Sequence, residues 1–519
     1  MQAAKRIAKN TGILYVRMGI TVFISLYSMR LIIGALGADD FGIFNVIAGA
    51  VVMLTFLNSA MAAATQRYMS FAQGAGDGLM LKKIFNVSIV LHLVIATLVF
   101  ILLEGVGYFL FDGVLNIQES RIEAAKLIFQ FSIVSTLFTI ISVPYDAVIN
   151  SHENMLLYAV IGVLEAVLKL SIALYITYTS YDKLVTYGLL TAMLSILLLT
   201  INRVYCHKYY AECTINLSKY FDKPLFKDMA SFGGWSFLGS MAGMISNYGQ
   251  GIVINMFFGT AVNAAQGIAN QISGQIGAFS GTMLKALNPF IVKSEGGGQR
   301  SLMIQSTMTG CKFSYFLLSI IAIPAIIDMP YILSIWLKNV PDYAVVFCRL
   351  LLIKNLIEQL FITLSVSISA VGKIRNYQIS VSLLAAFPLI VTYILFYLGY
   401  PPYIMYLVFI IQCTMRSFGI TLYFANKNSG LPIFLFLKNV VFRSIVVSII
   451  AAMFGLMLMS ILEQGILRLT LLFMMSGIIF LIAVNWIGLV KEERDQIKLL
   501  VYHLVGKLRE KSLQKYLVK

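Results

Sequence analysis

Charge is what this sequence has least of. Asp, Glu, Lys and Arg account for 12% of its 519 residues, against about 25% in a typical soluble protein. Hydrophobic types account for 59%, and the mean hydropathy is +0.85. Because so few charges cannot cover a water-facing surface, most of the surface must face lipid. The composition excludes an ordinary soluble protein and indicates a membrane protein.

Several kinds of site are also missing. No glycine-rich loop is followed by Lys and Ser or Thr, and the segment SEGGGQR at 294–300 follows no strand, so we expect no nucleotide site. The loops between apolar runs are too short for a catalytic domain, so we expect no enzymatic activity, no cofactor and no metal. The cysteines have neither metal-ligand spacing nor an evident disulfide framework; they are Cys206, Cys213, Cys311, Cys348 and Cys413.

The N-terminus does not have the pattern of a cleavable signal peptide. Lys5, Arg6 and Lys9 precede a full-length apolar run, and no small-residue cleavage site follows a short apolar core. We expect the first run to be a membrane span.

Long apolar runs dominate the chain. Many are roughly 20–28 residues long, which suits a bilayer core of about 30 Å. Spanning backbone must satisfy its own hydrogen bonds, so the runs are helices, and the short alternating segments of a membrane β-barrel are absent. The sequence predicts an all-α polytopic membrane protein with about fourteen transmembrane helices. They lie at 11–36, 41–66, 84–111, 124–150, 155–178, 183–205, 229–258, 262–292, 302–328, 343–371, 377–400, 402–425, 438–463 and 467–490.

The basic residues of the loops fall on one side of this arrangement, which accounts for the net charge of +16 without a nucleic-acid partner. Lys and Arg are enriched in cytoplasmic loops of membrane proteins. With the N-terminus in the cytoplasm, the basic loops are cytoplasmic, and an even span count places the C-terminus there too. The external loops then hold the acidic residues Asp39, Asp40, Asp112, Glu119, Glu123, Asp182, Asp328 and Asp342.

Two matches at one offset indicate an internal repeat. LGADDFGIFNVI around Gly37 matches FGTAVNAAQGIA around Gly259, and INSHENMLLYAV around Asn154 matches VGKIRNYQISVS around Asn376, both at a shift of about 222 residues. We expect two six-helix lobes related by a pseudo-two-fold axis along the membrane normal, with substrate between them, plus two C-terminal helices. The predicted divisions are an N-lobe at 1–205, a cytoplasmic linker at 206–228, a C-lobe at 229–425, helices 13 and 14 at 426–490, and a basic tail at 491–519.

The tail favours an amphipathic helix lying on anionic lipid, with a solvated cytoplasmic helix as the alternative. Its apolar stripe consists of Ile497, Leu500, Val501, Leu504 and Leu508.

The stretch LGADDFGIFNVI, which follows Arg30, and the stretch NSAMAAATQRYMSFAQG resemble the Wzx-type polysaccharide flippases. That family belongs to the superfamily of the multidrug and toxin extrusion transporters and the lipid II flippases. The resemblance extends to the turn around Asn154 and to fourteen spans in a 6+6+2 order, and at residue level it is specific over residues 1–75. It implies alternating access around a central cavity, and a polyprenyl-diphosphate-linked oligosaccharide as cargo. We also expect membrane lipids, and the polymerase and chain-length proteins of a polysaccharide pathway, as partners.

Two ion pairs lie deep in predicted spans, where ionisable groups are rare and costly. Glu165 and Lys169 are one turn apart in the fifth helix, and Lys354 and Glu358 are one turn apart in the tenth. The i,i+4 spacing puts both members of a pair on one helix face. Either each pair neutralises itself within the bundle, or the lysines attract anionic cargo while the glutamates bind a coupling proton or sodium ion.

Three arginines near span ends are candidates for phosphate binding, because the guanidinium fork suits phosphate oxygens. They are Arg17, Arg30 and Arg349. Arg17 and Arg30 are separated by about 140° around their helix, so they do not share a face, and either could extend to a membrane interface. Arg17 is favoured as a cavity residue.

Uncharged polar groups complete the candidate site. Asn270, Gln271 and Gln275 in the eighth helix could bond sugar hydroxyls, although amides in a span also hold helices together. Asp146 is a weaker candidate, because we expect it near a membrane interface, although a local kink after Pro144 would expose it.

These observations favour a flippase of a bacterial inner membrane that moves a lipid-linked oligosaccharide, an O-antigen or capsule unit, with both termini cytoplasmic. The alternatives are a multidrug or cation antiporter of the same fold, whose cavity should be acidic or aromatic, and a polytopic polysaccharide-processing enzyme, which would need a large loop or external catalytic cluster.

Overall fold

This computed structural model describes residues 2–111, 117–337, 339–495 and 498–499. The described chain is built from helices, numbered here in chain order. They are α1 (Gln2–Ala75), α2 (Gly78–Phe109), α3 (Ile122–Ser151), α4 (Met155–Tyr178), α5 (Lys183–Tyr209), α6 (Leu217–Tyr220), α7 (Lys223–Gly296), α8 (Arg300–Ile327), α9 (Met329–Trp336), α10 (Ala344–Gln359), α11 (Ile362–Val371), α12 (Arg375–Tyr397), α13 (Ile404–Ser429), α14 (Ile433–Ile461) and α15 (Ile466–Gly488).

The predicted all-α membrane fold is confirmed. Among the residues that the structure describes, eleven segments are long and apolar enough to cross a membrane. Residues 38–75, the part of α7 after its break, and the pair α10–α11 supply the other three of the fourteen predicted spans. The boundaries lie close to the predicted ones, and the predicted span 155–178 coincides with α4.

The two longest helices are each interrupted at one glycine. Gly37 in α1 has φ 75° and ψ 179°, and Gly259 in α7 has φ 76° and ψ −172°. This positive φ favours glycine, which lacks Cβ. The predicted spans 11–36 and 41–66 left Asp39 and Asp40 in an external loop, but the helix resumes directly after Gly37, so the chain turns at a single residue. The matching breaks confirm the repeat at a shift of 222 residues.

The second predicted match, of Asn154 with Asn376, is offset by two residues in the structure. Asn154 is the N-cap of α4, and its side chain accepts a hydrogen bond from the Leu157 amide at 3.2 Å. Asn376 lies within α12, whose N-cap is Ile374. Cap to cap, from residue 154 to residue 374, the shift is 220, because the two turns have different lengths. Asn376 therefore does not take the role of Asn154.

The predicted span 343–371 is also interrupted. Helix α10 ends at Gln359 and α11 begins at Ile362, with the Phe361 amide donating to the Glu358 carbonyl at 3.1 Å. Leu360 and Phe361 are themselves apolar, so the hydropathy of the two residues at the break did not predict it.

The two halves meet mainly through α1 and α7. Near the ends of these helices the chains approach so closely that a Cβ on Gly74 would lie 2.0 Å from the Lys293 carbonyl oxygen. A Cβ on Gly296 would likewise lie 2.0 Å from the Phe71 carbonyl oxygen. Residues 71 and 74 correspond to 293 and 296 at the shift of 222, so this is a reciprocal contact of a pseudo-two-fold pair.

Helices α14 and α15 pack against α8 of the second half. Two ion pairs fix this attachment. The buried Arg468 guanidinium binds the buried Asp328 carboxylate at 2.6 Å, and the buried Lys312 ammonium lies 2.7 Å from Glu493.

The segment between the two halves contains α6 and runs from the end of α5 at Tyr209 to the start of α7 at Lys223. The division into an N-lobe, a linker and a C-lobe stays a prediction. The apolar stripe of the predicted amphipathic tail, from Ile497 to Leu508, lies outside the described residues.

Candidate functional site

A polar cavity of about 590 Å³ lies inside the first half, between α1, α3, α4 and α5. Serine and threonine hydroxyls from α3 and α5 form much of its wall, and Arg17, Asp146, Glu165 and Lys169 are its charged residues. Two of these are predicted cation sites and one is a predicted coupling site. The structure therefore brings together Arg17, Glu165 and Lys169 from helices far apart in sequence.

The hydroxyls present oxygen lone pairs to the cavity. Thr136 donates to the Ser132 carbonyl at 2.8 Å, and Thr139 donates to the Ser135 carbonyl at 2.9 Å. The hydroxyls of Ser135 and Ser195 also lie 2.6 Å apart, which links α3 to α5. Because these protons are used inside the helices, the oxygens remain as acceptors. Such a wall suits sugar hydroxyls or a cation.

Asp146 lies deeper in the cavity wall than its sequence position suggested. The Asn202 amide donates to one carboxylate oxygen at 3.1 Å, and the Ser142 hydroxyl lies 3.4 Å from the other. Helix α3 contains Pro144, which removes one backbone donor just before the carboxylate. Asp146 was a weaker candidate from sequence, and its contacts make it a polar centre of this cavity.

Glu165 and Lys169 form the i,i+4 pair that their spacing predicts. The Lys169 ammonium lies 2.7 Å from the Glu165 carboxylate, and both line the cavity. The Lys169 side chain is 55% exposed, so it is free to turn toward a ligand.

Arg17 is held flat against α4. Its Cζ lies 4.4 Å from the centre of the Tyr158 ring, in cation–π geometry. A Cβ on Gly162 would lie 2.1 Å from Arg17 Nε, so only glycine leaves room for the guanidinium there. Lys285, from α7 of the other half, lies 5.6 Å from the same ring centre and donates to the Tyr158 hydroxyl at 3.3 Å. We refer to Arg17, Tyr158 and Lys285 as the cationic junction.

The second half places its ion pair differently. Glu358 on α10 accepts from Lys354 at 3.4 Å and from Arg416 on α13 at 2.5 Å. Arg416 lies at the start of a π-helical stretch, Met415–Thr421, a distortion often found at functional sites. Two cations thus share one partly buried carboxylate.

The remaining predicted residues lie outside these clusters. Arg30 is exposed on α1. Arg349 donates to the carbonyls of Ile326 and Ile327 at 2.8 and 3.0 Å, where it satisfies the C-terminal end of α8. The three amides are exposed on the second part of α7; they are Asn270, Gln271 and Gln275.

Polar contacts between the halves gather at the end of the bundle that holds the N-terminus. Tyr15 donates to the Phe279 carbonyl at 2.8 Å, and Arg67 donates to the carbonyls of Ser369 and Ala370 at 3.1 and 2.8 Å. With the contact of Gly74 and Gly296, these bonds close this end.

Glu153 adds an ionic contact at the closed end. It has the left-handed φ of 56°, uncommon for a residue with a side chain, and its carboxylate is buried. Arg6 Nε and Lys293 Nζ lie 2.8 and 3.5 Å from its two oxygens. Asn10 donates to its carbonyl at 3.1 Å. Because Lys293 belongs to α7, this carboxylate joins the two halves.

Comparison with known proteins identifies the fold. No family model and no curated protein sequence matches the chain. Among solved structures, an outward-facing multidrug resistance MATE family transporter of the MOP superfamily superposes with a TM-score of 0.68, and a MATE protein in a bent conformation with 0.71. A MOP superfamily transporter from Pyrococcus furiosus, described as having a binding pocket of reverse polarity, superposes with 0.65. Each of these structures is 14% identical in sequence to this chain. The superposition covers 96% of each compared chain and 82% or 83% of this chain. This chain has the MOP transporter fold.

Within the MOP fold, sequence reasoning missed several contributors to these sites, among them Arg416, Tyr158 and Gly162. Arg416 lies in the middle of an apolar span, so the rule applied to the other intramembrane charges would have found it. Tyr158 and Gly162 gave no such signal, because an aromatic residue and a small residue are ordinary in a membrane helix. Their role depends on the packing of α4 against α1.

Proposed function

We propose that the protein is a flippase that moves a polyprenyl-diphosphate-linked oligosaccharide across a bacterial inner membrane by alternating access. The observation that carries this proposal is the cationic junction, where Arg17 and Lys285 converge on Tyr158 between the two halves. A diphosphate needs fixed positive charge, and arginine binds phosphate oxygens in a bidentate manner. The hydroxyl-lined cavity beside Arg17 supplies acceptors for the sugars.

The state described here is closed at the N-terminal end, which the charge pattern of the loops assigns to the cytoplasm. In the proposed cycle, cargo binds when this end is open, and its headgroup is released on the other side after closure. The contacts of Tyr15, Arg67, Glu153 and Gly74 with the second half break and re-form in each cycle.

Energy coupling is assigned to the first half. Glu358 is held by two cations, whereas Asp146 is held by uncharged donors and shares its cavity with Glu165. A proton or sodium ion bound there biases the two states only if it binds one more tightly. One charge moved across the membrane is worth about 2.3 kcal/mol per 100 mV.

A cation antiporter is the second candidate, because the same cavity contains Asp146 and Glu165 together with the aromatic rings of Tyr158, Tyr187 and Phe44. Such a cavity also suits an aromatic cation, and two of the compared structures are MATE transporters.

The two candidates separate in vesicles containing the purified protein. With a fluorescent polyprenyl-diphosphate-linked oligosaccharide, we expect flipping that Arg17→Ala and Lys285→Ala each reduce by about tenfold. Lys223→Ala, an exposed basic residue on α7, is the matched control and should flip at the wild-type rate. Uptake of a lipophilic cation that depends on Asp146, with no flipping, would assign the antiporter instead.

A further inference from the structure

A groove of about 510 Å³, separate from the polar cavity, lies between α1 and α4. Its walls are apolar side chains, including Ile13, Val16, Ile20, Leu156, Val160 and Val163. Val16, Leu156 and Val160 are 65%, 59% and 56% exposed. In a membrane-spanning bundle, such uncovered apolar residues face hydrocarbon chains. The groove is therefore open to the bilayer.

Arg17 forms the inner end of this groove, and it also lines the polar cavity. It is the charged residue among those lining the groove. Its Nε is buried and has no hydrogen-bond partner. A buried donor without an acceptor is costly, so this position favours an anionic ligand. The guanidinium thus separates an apolar surface from a hydroxyl-lined cavity.

We propose that the groove binds the polyprenyl chain of the cargo while Arg17 binds its phosphate and the cavity receives its sugars. The proposal rests on the proposed function and extends it to the lipid part of the cargo. The polyprenyl chain, the phosphate and the sugars of such a lipid follow one another in that order. The groove, Arg17 and the cavity offer them apolar side chains, a cation and hydroxyl oxygens in the same order. A two-chain phospholipid with a small headgroup would leave the cavity beyond Arg17 unused. The groove lies toward the N-terminal end, on the side that the charge pattern assigns to the cytoplasm.

The place of the Arg17 guanidinium depends on the absence of a Cβ atom at Gly162. A Cβ at residue 162 would displace the guanidinium from the junction of groove and cavity, since it would lie 2.1 Å from Nε and 2.5 Å from Cζ. We expect Gly162→Ala to weaken phosphate binding although it adds no charge and removes none.

The test uses the full-length protein in vesicles and a polyprenyl diphosphate with a photoreactive group on its chain. We expect crosslinks on Val16, Leu156 or Val160 that unlabelled polyprenyl diphosphate removes and that phosphatidylglycerol does not. Val160→Trp fills the groove without changing any charge and should lower crosslinking and flipping by about tenfold. Val167→Trp is the matched control, because Val167 is also exposed on α4 but lines neither groove nor cavity.

The results of this test distinguish the groove from the flippase function. Competition by phosphatidylglycerol equal to that by polyprenyl diphosphate would make the groove a site for ordinary membrane lipid and overturn the proposal. Wild-type flipping and crosslinking in Val160→Trp would overturn the groove while leaving the flippase function intact. Absence of flipping by the wild-type protein would instead count against the flippase itself.

Discussion

Charged side chains balance differently in the two halves. In the first half, Asp146 and Glu165 share a cavity with Arg17 and Lys169. In the second half, Lys354 and Arg416 share Glu358. A cluster of two cations and one carboxylate inside the membrane has one excess positive charge. Close pairing with the carboxylate offsets the cost of burying that charge. This makes Glu358 a residue whose removal should harm the fold before it harms transport.

We expect Arg416→Met to destabilise the protein by about 2 kcal/mol, the size of a hydrogen bond to a charged group. Glu358 would then keep only the longer contact with Lys354. The measurement is thermal unfolding in detergent, and Lys169→Met, which breaks the more exposed pair with Glu165, is the control expected to change little. If Arg416→Met unfolds at the wild-type temperature, the pairing is not structural.

The sequence predicted pairs within one helix and missed pairs between helices. Glu165 and Lys169 are four residues apart, and their spacing alone places them on one face. The partner of Glu358 depends on how α13 packs against α10, and no local pattern encodes that contact. Arg349 was equally ambiguous, since only the structure shows that it satisfies carbonyls of α8.

At the scale of elements, the turn between α3 and α4 is tied to the segment between the halves. His152 lies 2.5 Å from Glu212 and stacks on Tyr210 with ring centres 4.3 Å apart. Burial raises the pKa of the Glu212 carboxyl. The hydrogen bonds from His152 and from its own backbone amide, together with the nearby charges of His152 and Lys82, lower it by more in sum, so its pKa lies below the usual 4.5. The turn that presents Glu153 to the second half is thereby connected to the linker.

This pKa shift makes part of the stability depend on pH. A carboxyl with a lowered pKa in the folded state contributes stability above its unfolded pKa, and that stability is lost as the pH falls through the folded value. We expect the wild-type unfolding temperature to fall as the pH drops below about 4.5, and to fall less steeply in Glu212→Gln. Parallel curves for the two proteins between pH 6 and pH 3 would contradict this assignment.

Helix positions were largely predictable because apolar run length follows the bilayer thickness. The span 155–178 is reproduced to the residue. The break between α10 and α11 was not predictable, since Leu360 and Phe361 carry no polar signal. The slip at Asn376 shows that a shared offset in sequence need not survive in a turn, where the two repeats differ in length.

At the scale of the whole molecule, the two halves are joined by the reciprocal contact of Gly74 with Lys293 and of Gly296 with Phe71. Backbone touches backbone there, so no side chain can rotate away to make room. The contact exists only while the N-terminal end is closed, which makes the two glycines sensitive to conformation.

We expect Gly74→Ala, and likewise Gly296→Ala, to hold this end open. The measurement is the distance between spin labels at the exposed residues Leu79 and Ser301, which should lengthen by several ångströms, since a Cβ needs ordinary van der Waals separation. The five native cysteines are buried, so they should not react with the label. Gly234→Ala has nothing within 4 Å of its new Cβ and is the control. Unchanged distances in both test variants would mean that the halves accommodate the added methyl groups while closed.

The contact that Gly74 and Gly296 make between the halves limits which insertions and deletions the gene can accept. In each half, the contact glycine lies 37 positions after the break glycine, from Gly37 to Gly74 and from Gly259 to Gly296. One inserted residue would turn the contact glycine by about 100° around its helix and present a bulkier neighbour in its place. The charged residues inside the two halves differ, which indicates that those positions accept substitutions. Insertions and deletions in these two segments, however, should be eliminated in either half unless the count is restored before the contact.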